Sequence, residues 1–221
     1  ATLEMTTKTA ITFPGQGSQS VGMLASLADA YPVVRQTFEE GSDALALDLW
    51  ALSQQGPADR LNATENTQPA LLCAGMGVMR CLGDQLPESP LVMAGHSLGE
   101  YTALVAAGVI NLGDAVRLVA QRGRFMQEAV PAGTGAMAAL LGLADDVVAQ
   151  VCEQGAEGQV VAPVNYNSPG QVVVAGHAEA VARVADLAKE AGAKRALILD
   201  VSVPSHCALM KPAAERLEEA M

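Results

Sequence analysis

Gly95-His96-Ser97-Leu98-Gly99 decides the fold. The stretch lies between an apolar run, Leu91 to Ala94, and a helix-like segment, Glu100 to Gly108. Strand, G-x-S-x-G and helix, in that order, form the arrangement called a nucleophile elbow. Two glycines allow a turn tight enough to hold a serine in a strained backbone conformation. Such a turn lifts Oγ clear of the sheet and leaves the following N–H groups at a helix start, where negative charge is welcome. The competing account is a glycine-rich turn whose serine merely caps a helix. The flanking strand and helix favour the nucleophile.

Downstream, Asn111-Leu112-Gly113-Asp114 reads as a helix start. From Asp114 to Val130 the positions Ala115, Val116, Val119, Gly123 and Met126 fall on one face at about 100° per residue. Arg117 and Arg124 project to the far side and are expected in solvent. Arg122 projects to the apolar side. A guanidinium there keeps its proton and requires an anion or a set of carbonyls. Two accounts stand level: a buried ion pair with Asp or Glu, or a ligand carboxylate held by a planar bidentate pair.

Upstream, Thr9 to Phe13 is β-like and stops at Pro14-Gly15-Gln16-Gly17-Ser18-Gln19, a loop able to bring N–H groups close to a ligand. Val21 to Ala30 and most of Pro32 to Trp50 read as helix, with Leu45, Leu47, Leu49 and Trp50 expected in the core. A long helix, apolar nearly all round and therefore buried, is expected from Pro69 to Leu82, followed by a turn at Pro87 to Pro90. Strands alternating with helices imply a parallel sheet. Pro131 to Gly135 is a break, and the pattern beyond it reads β-α-β-β-α-β, the order of a ferredoxin-like unit. The division expected is a main domain of residues 8–133 and 204–221 with residues 134–203 as a small insert. A groove between the two is where a ligand is expected.

The totals narrow the function. With 221 residues, half of them hydrophobic and only 3% aromatic, the chain can build a sizeable core from Ala, Val, Leu and Met. A net charge of −11 argues against nucleic-acid binding. The four cysteines, Cys73, Cys81, Cys152 and Cys207, show no metal-ligand spacing and suit a reducing, cytoplasmic setting. No apolar run reaches the roughly 18 residues of a membrane span, and the N-terminus lacks a signal-peptide pattern.

A nucleophilic serine needs a base. His96 adjoins Ser97, so the two side chains are expected on opposite faces, with His96 packed under the elbow. His177 ends a strand of the insert, in a capping or surface role. His206 follows Pro204 where the chain re-enters the main domain, and is the candidate by elimination. Hydrolases with this elbow also use an acid between serine and histidine. Asp114, Asp145, Asp146, Asp186 and Asp200 lie in that interval, and none has a context that singles it out. A Ser–His dyad with a carbonyl orienting the imidazole is equally open.

With these residues assembled, the sequence resembles the malonyl-CoA:acyl carrier protein transacylases of bacterial fatty-acid synthesis. The matching stretches are Phe13 to Gln19, Thr67-Gln68-Pro69-Ala70, Gly95 to Tyr101, Gln121-Arg122-Gly123, Val164 to Gln171 and Val203-Pro204-Ser205-His206-Cys207. The resemblance implies an α/β-hydrolase-like main domain carrying the ferredoxin-like insert. It implies that Ser97 takes the malonyl group as an ester, that His206 is the base, and that the N–H groups of Gln16 and Leu98 form the oxyanion hole. Arg122 then binds the free carboxylate, and Asn165 and Asn167 line the cleft. No cofactor or metal is implied. The substrates are malonyl-CoA and the phosphopantetheine thiol of acyl carrier protein, used in ping-pong order by a monomer in the cytoplasm, with neither nucleic acid nor membrane as partner. Family members continue past the position of Met221, and the group that orients their histidine lies in that continuation, so a C-terminal part is expected to be absent here and a catalytically impaired fragment is one alternative. The others are a polyketide-synthase-type acyltransferase and a serine esterase or thioesterase.

Overall fold

The computed structural model describes residues 9–83, 92–201 and 203–221. The turn expected at Pro87 to Pro90, and Leu91 of the elbow strand, lie outside them. By compactness the chain divides between Gly123 and Arg124.

In the first unit, β1 (Ala10–Phe13) pairs in parallel with β2 (Val92–Gly95), Phe13 opposite Gly95. Between them run α1 (Ala25–Ala30), α2 (Val33–Leu45), α3 (Leu49–Gln55), α4 (Ala58–Asn62) and α5 (Thr64–Leu82). The helix expected over Pro32 to Trp50 is two helices. Ala46 takes a left-handed φ of 51° and ends α2, and the Asp48 carboxylate accepts from the Ala51 N–H at 2.7 Å to start α3. Of the four core positions expected there, Leu49 is fully buried, whereas Leu45, Leu47 and Trp50 are partly buried against the same cluster.

The larger correction concerns α5. It begins at Thr64, five residues before Pro69, and carries that proline inside it. A proline forfeits one helical hydrogen bond, but burial outweighs it here: Thr64, Thr67 and Gln68 are buried with Pro69, Ala70, Leu71 and Leu72. The Thr67 hydroxyl donates to the Leu61 carbonyl at 2.6 Å, tying the first turn to α4. Beyond β2 come α6 (Leu98–Ala106) and α7 (Leu112–Glu128). Ala115, Val116 and Val119 are buried as their spacing requires, with Val34, Phe38, Leu72 and Leu98 in one core cluster.

In the second unit, β3 (Gly135–Leu141), α8 (Asp145–Ala156), β4 (Val161–Ser168), β5 (Gln171–His177), α9 (Ala178–Glu190) and β6 (Arg195–Ile198) follow in the expected order. The sheet is antiparallel, ordered β4-β5-β3-β6. Its two faces obey a period of two. Ala138, Leu140, Val172 and Val174 pack with Val148, Val151, Val181 and Val184 of the helices, while Met137, Ala139, Val173 and Ala175 share the opposite cluster with Cys207. Pro163 interrupts the register of β4, an edge strand, where a missing N–H costs least. The strand expected from Ala196 to Val203 stops at Ile198. The helix expected from Ala208 begins as one 3₁₀ turn, Ala208–Met210, and continues as α10 (Lys211–Ala220).

Candidate active site

The first-unit residues come together around Ser97. The elbow turn is closed by backbone bonds: His96 N–H to Phe13 O at 3.0 Å, Gly99 N–H to His96 O at 3.0 Å, and Glu100 N–H to Ser97 O at 3.1 Å. Ser97 itself sits at φ 52°, ψ −106°. An L-residue pays for that conformation, and single positions of this kind gather at functional sites. Its neighbours explain why the turn holds. A Cβ on Gly95 would overlap the Gly99 and Glu100 backbone, and one on Gly99 would overlap Phe13 O. Both glycines are therefore required by close backbone approach.

Leu98 opens α6 and is buried. Its N–H belongs to the first helical turn, whose N–H groups have no intrahelical acceptor. Gln16 lies in the loop after β1, and its Nε2 donates to Thr64 Oγ1 at 3.2 Å. His96, the residue after β2, departs from expectation: it is exposed, as Val92 and Ala94 are, with its Nδ1 beside Gly15 of the loop after β1.

Arg122 sits on the inner side of α7. Its Nη1 donates to Gln68 Oε1 at 2.6 Å and its Nη2 to Ser97 Oγ at 3.1 Å. The guanidinium carbon lies 5.5 Å from the centre of the Tyr101 ring, one turn along α6 from Ser97. Burial pulls the guanidinium pKa down, opposed by Tyr101, but an arginine remains charged. Among the described residues no carboxylate lies within ion-pair distance of it. The internal ion pair that the sequence left open is therefore not formed among them. Arg117 and Arg124 point outward, paired with Asp114 and Glu128.

Gly123 permits this arrangement. A Cβ there would lie 2.6 Å from both Thr64 O and Glu65 Cα, so α7 crosses the first turn of α5 at backbone contact. Gln68 is one turn further along α5 and only 1% exposed. Sequence reasoning assigned it no role. Placing the helix start at Pro69 left Gln68 outside the helix and hid that Thr64 and Gln68, four apart, share a face.

The remaining candidates belong to the second unit. His206 lies in the segment after β6 at φ 66°, and is exposed. Its turn is fixed on both sides: Pro204 packs on Gly135, where a Cβ would collide with the ring, and Cys207 Sγ donates to Pro204 O at 3.2 Å. Asn165 lies in β4 opposite Val173, and Asn167 is exposed near the strand's end. His177 caps no helix through its side chain, although it occupies the residue before α9. Its Nδ1 instead accepts from Val160 N–H at 3.0 Å.

Comparison with known proteins bears on the whole chain. The acyl transferase domain model matches residues 11–221. The chain belongs to the acyl transferase family. It is 65% identical over 211 residues to the malonyl CoA-acyl carrier protein transacylase of Escherichia coli K12, a match covering 96% of this chain and 68% of that relative. Among solved acyl transferases, the malonyl-transacylase of a complex with a type II PKS acyl-carrier protein superposes with a TM-score of 0.94 at 59% identity, covering 97% of this chain and 69% of the other. The acyl carrier protein S-malonyltransferase of Vibrio cholerae gives 0.92 at 61%, covering 97% and 70%. The mixed architecture of parallel and antiparallel sheets is thus the acyl transferase fold.

Proposed function

We propose that this acyl transferase moves a malonyl group from malonyl-CoA to the phosphopantetheine thiol of acyl carrier protein, supplying malonyl-acyl carrier protein for fatty-acid synthesis. One observation carries the assignment: a desolvated guanidinium 3.1 Å from the hydroxyl of a strained elbow serine, held by neutral acceptors. The names of the relatives support the substrate and the carrier.

His206 takes the proton of Ser97, and Oγ attacks the thioester carbonyl. The Gln16 and Leu98 N–H groups meet the oxyanion, a contribution of about 3 kcal/mol per donor in comparable sites. The carbon–sulfur bond breaks, coenzyme A leaves with the proton from the imidazolium, and the malonyl ester remains on Ser97. The carrier thiol then gives its proton to His206 and attacks the same carbonyl, restoring Ser97. Arg122 pairs with the free malonyl carboxylate throughout. Asn165 and Asn167 line the substrate cleft. The scheme uses no metal and no cofactor.

We read residues 8–133 and 204–221 as an α/β-hydrolase-like domain, on the parallel β1–β2 pair and the elbow, and residues 134–203 as a ferredoxin-like insert, on the sheet order β4-β5-β3-β6. A monomer in the cytoplasm, where thiols stay reduced, completes the proposal. Incubation with malonyl-CoA followed by intact-mass measurement tests it. A malonyl adduct that disappears in Ser97→Ala is expected; rapid release of free malonate without an adduct points to a hydrolase and sinks the transfer scheme.

A further inference from the structure

The feature left unused by this scheme is the buried amide beside Arg122. Gln68 lies on the first turns of α5, nearly inaccessible to solvent, with its carbonyl oxygen 2.6 Å from Arg122 Nη1. Thr64, one turn earlier on the same helix, accepts from the Gln16 side chain at 3.2 Å. The loop after β1, the helix α5, the guanidinium and the elbow serine are thus joined in one polar row. Gly123 brings α7 against Thr64 and Glu65, which sets Arg122 at the height of Gln68.

The chemical type of the acceptor matters. A buried arginine is usually satisfied by a carboxylate, which orients it and cancels its charge at once. A glutamine carbonyl orients the fork equally well but carries no charge. The guanidinium is then fixed and still cationic, with Nη2 directed to Ser97 Oγ. An acyl group that brings its own carboxylate completes the charge balance. One without it leaves a desolvated cation unpaired, at an energetic cost.

We propose that Gln68 is a positioning residue that makes this serine selective for acyl groups bearing a free carboxylate, by holding Arg122 in place while leaving its charge uncompensated. The inference rests on the malonyl-serine assignment above. It predicts that the residue at position 68 sets the ratio of malonyl to acetyl loading, acting through Arg122 and not on the serine's intrinsic reactivity.

The test measures kcat and KM for acyl loading of Ser97 from malonyl-CoA and from acetyl-CoA, in the unsubstituted protein, Gln68→Glu and Gln68→Met. A glutamate at 68 supplies the internal anion, so malonyl loading should fall about 10- to 100-fold through KM, the range of a charge-assisted hydrogen bond. Acetyl loading should hold or rise. Methionine removes the acceptor without adding charge and should raise the malonyl KM several-fold at unchanged acetyl kcat; it decides the matter if the buried glutamate prevents folding. Equal losses on both acyl groups, in either variant, would mean that Gln68 only maintains the fold, and overturn the inference. If the unsubstituted protein itself loads no malonyl group, the assignment it rests on falls first and the inference with it. If it loads malonyl and the ratio is indifferent to position 68, only the inference falls.

Discussion

Two partly buried arginines, one in each unit, meet different partners. Arg183 of α9 spends its donors on the end of α8. Nε bonds Gly155 O at 2.9 Å, Nη2 bonds Ala156 O at 3.2 Å and Gln159 Oε1 at 2.8 Å, and Glu157 stands 3.4 Å away. Helix-terminal carbonyls and a carboxylate satisfy both its geometry and its charge. Among the described residues Arg122 has the geometry without the charge: a glutamine, a serine hydroxyl and a tyrosine ring. Periodicity places them differently: Arg122 projects to the apolar side of α7, whereas Arg183 falls on the side of α9 away from Ala180, Val181, Val184, Ala185 and Ala188, and neither placement reveals the partner. On the proposed function, the partner's charge separates a residue that closes a structure from one that would meet a ligand carboxylate.

The contrast is tested most severely at Arg122. Arg122→Ala should reduce malonyl loading by about 100-fold, the loss of a buried charge-assisted pair, and acetyl loading far less. Equal losses on the two acyl groups would remove the distinction between the arginines. Next in size is Gly123→Ala. The added methyl meets the α5 backbone, so thermal unfolding should show a loss of about 1–3 kcal/mol, with malonyl selectivity weakened because Arg122 is displaced from Gln68.

Arg183→Met should cost about 1–2 kcal/mol of stability and leave the malonyl-to-acetyl ratio unchanged. Each unit carries an internal reporter for this experiment. Burial pushes the thiols of Cys73 in α5 and Cys152 in α8 up to about 12, the former helped by the charge of Glu40. At pH 8 both are protonated and react only when their surroundings open. Because these pKa values are raised, the stabilisation is complete below the unfolded thiol's pKa and is lost as pH climbs towards 12. Alkylation at pH 8 should therefore accelerate roughly tenfold at Cys152 in Arg183→Met while Cys73 keeps its rate; acceleration at both would show that Arg183 supports more than its own corner. The smallest effect belongs to Arg35→Ala. Its pair with Glu39 is exposed on both sides, so stability should move by less than about 0.5 kcal/mol and loading not at all.

How much of this was legible in the sequence depends on whether the signal was local. The elbow, the inward face of α7 and the β-α-β-β-α-β order follow from glycine spacing and periodicity, and the structure has them all. Pro69 misled because a local rule about helix interiors yields to burial of Thr64, Thr67 and Gln68, which is a tertiary effect. His96 misled for a related reason: strand alternation gives two faces but not which of them a neighbour covers. Gln68 was missed because a neutral amide carries no periodic signal. Its meaning comes from Arg122, 54 positions away and on another helix.

The backbone at Ser97 has one more consequence. At φ 52° the position favours glycine, and Ser97→Gly would relieve strain of about 1 kcal/mol. Stability and chemistry thus pull this codon in opposite directions. If Ser97 carries the acyl group as proposed, a lineage released from that task would gain a sturdier protein by giving up its hydroxyl.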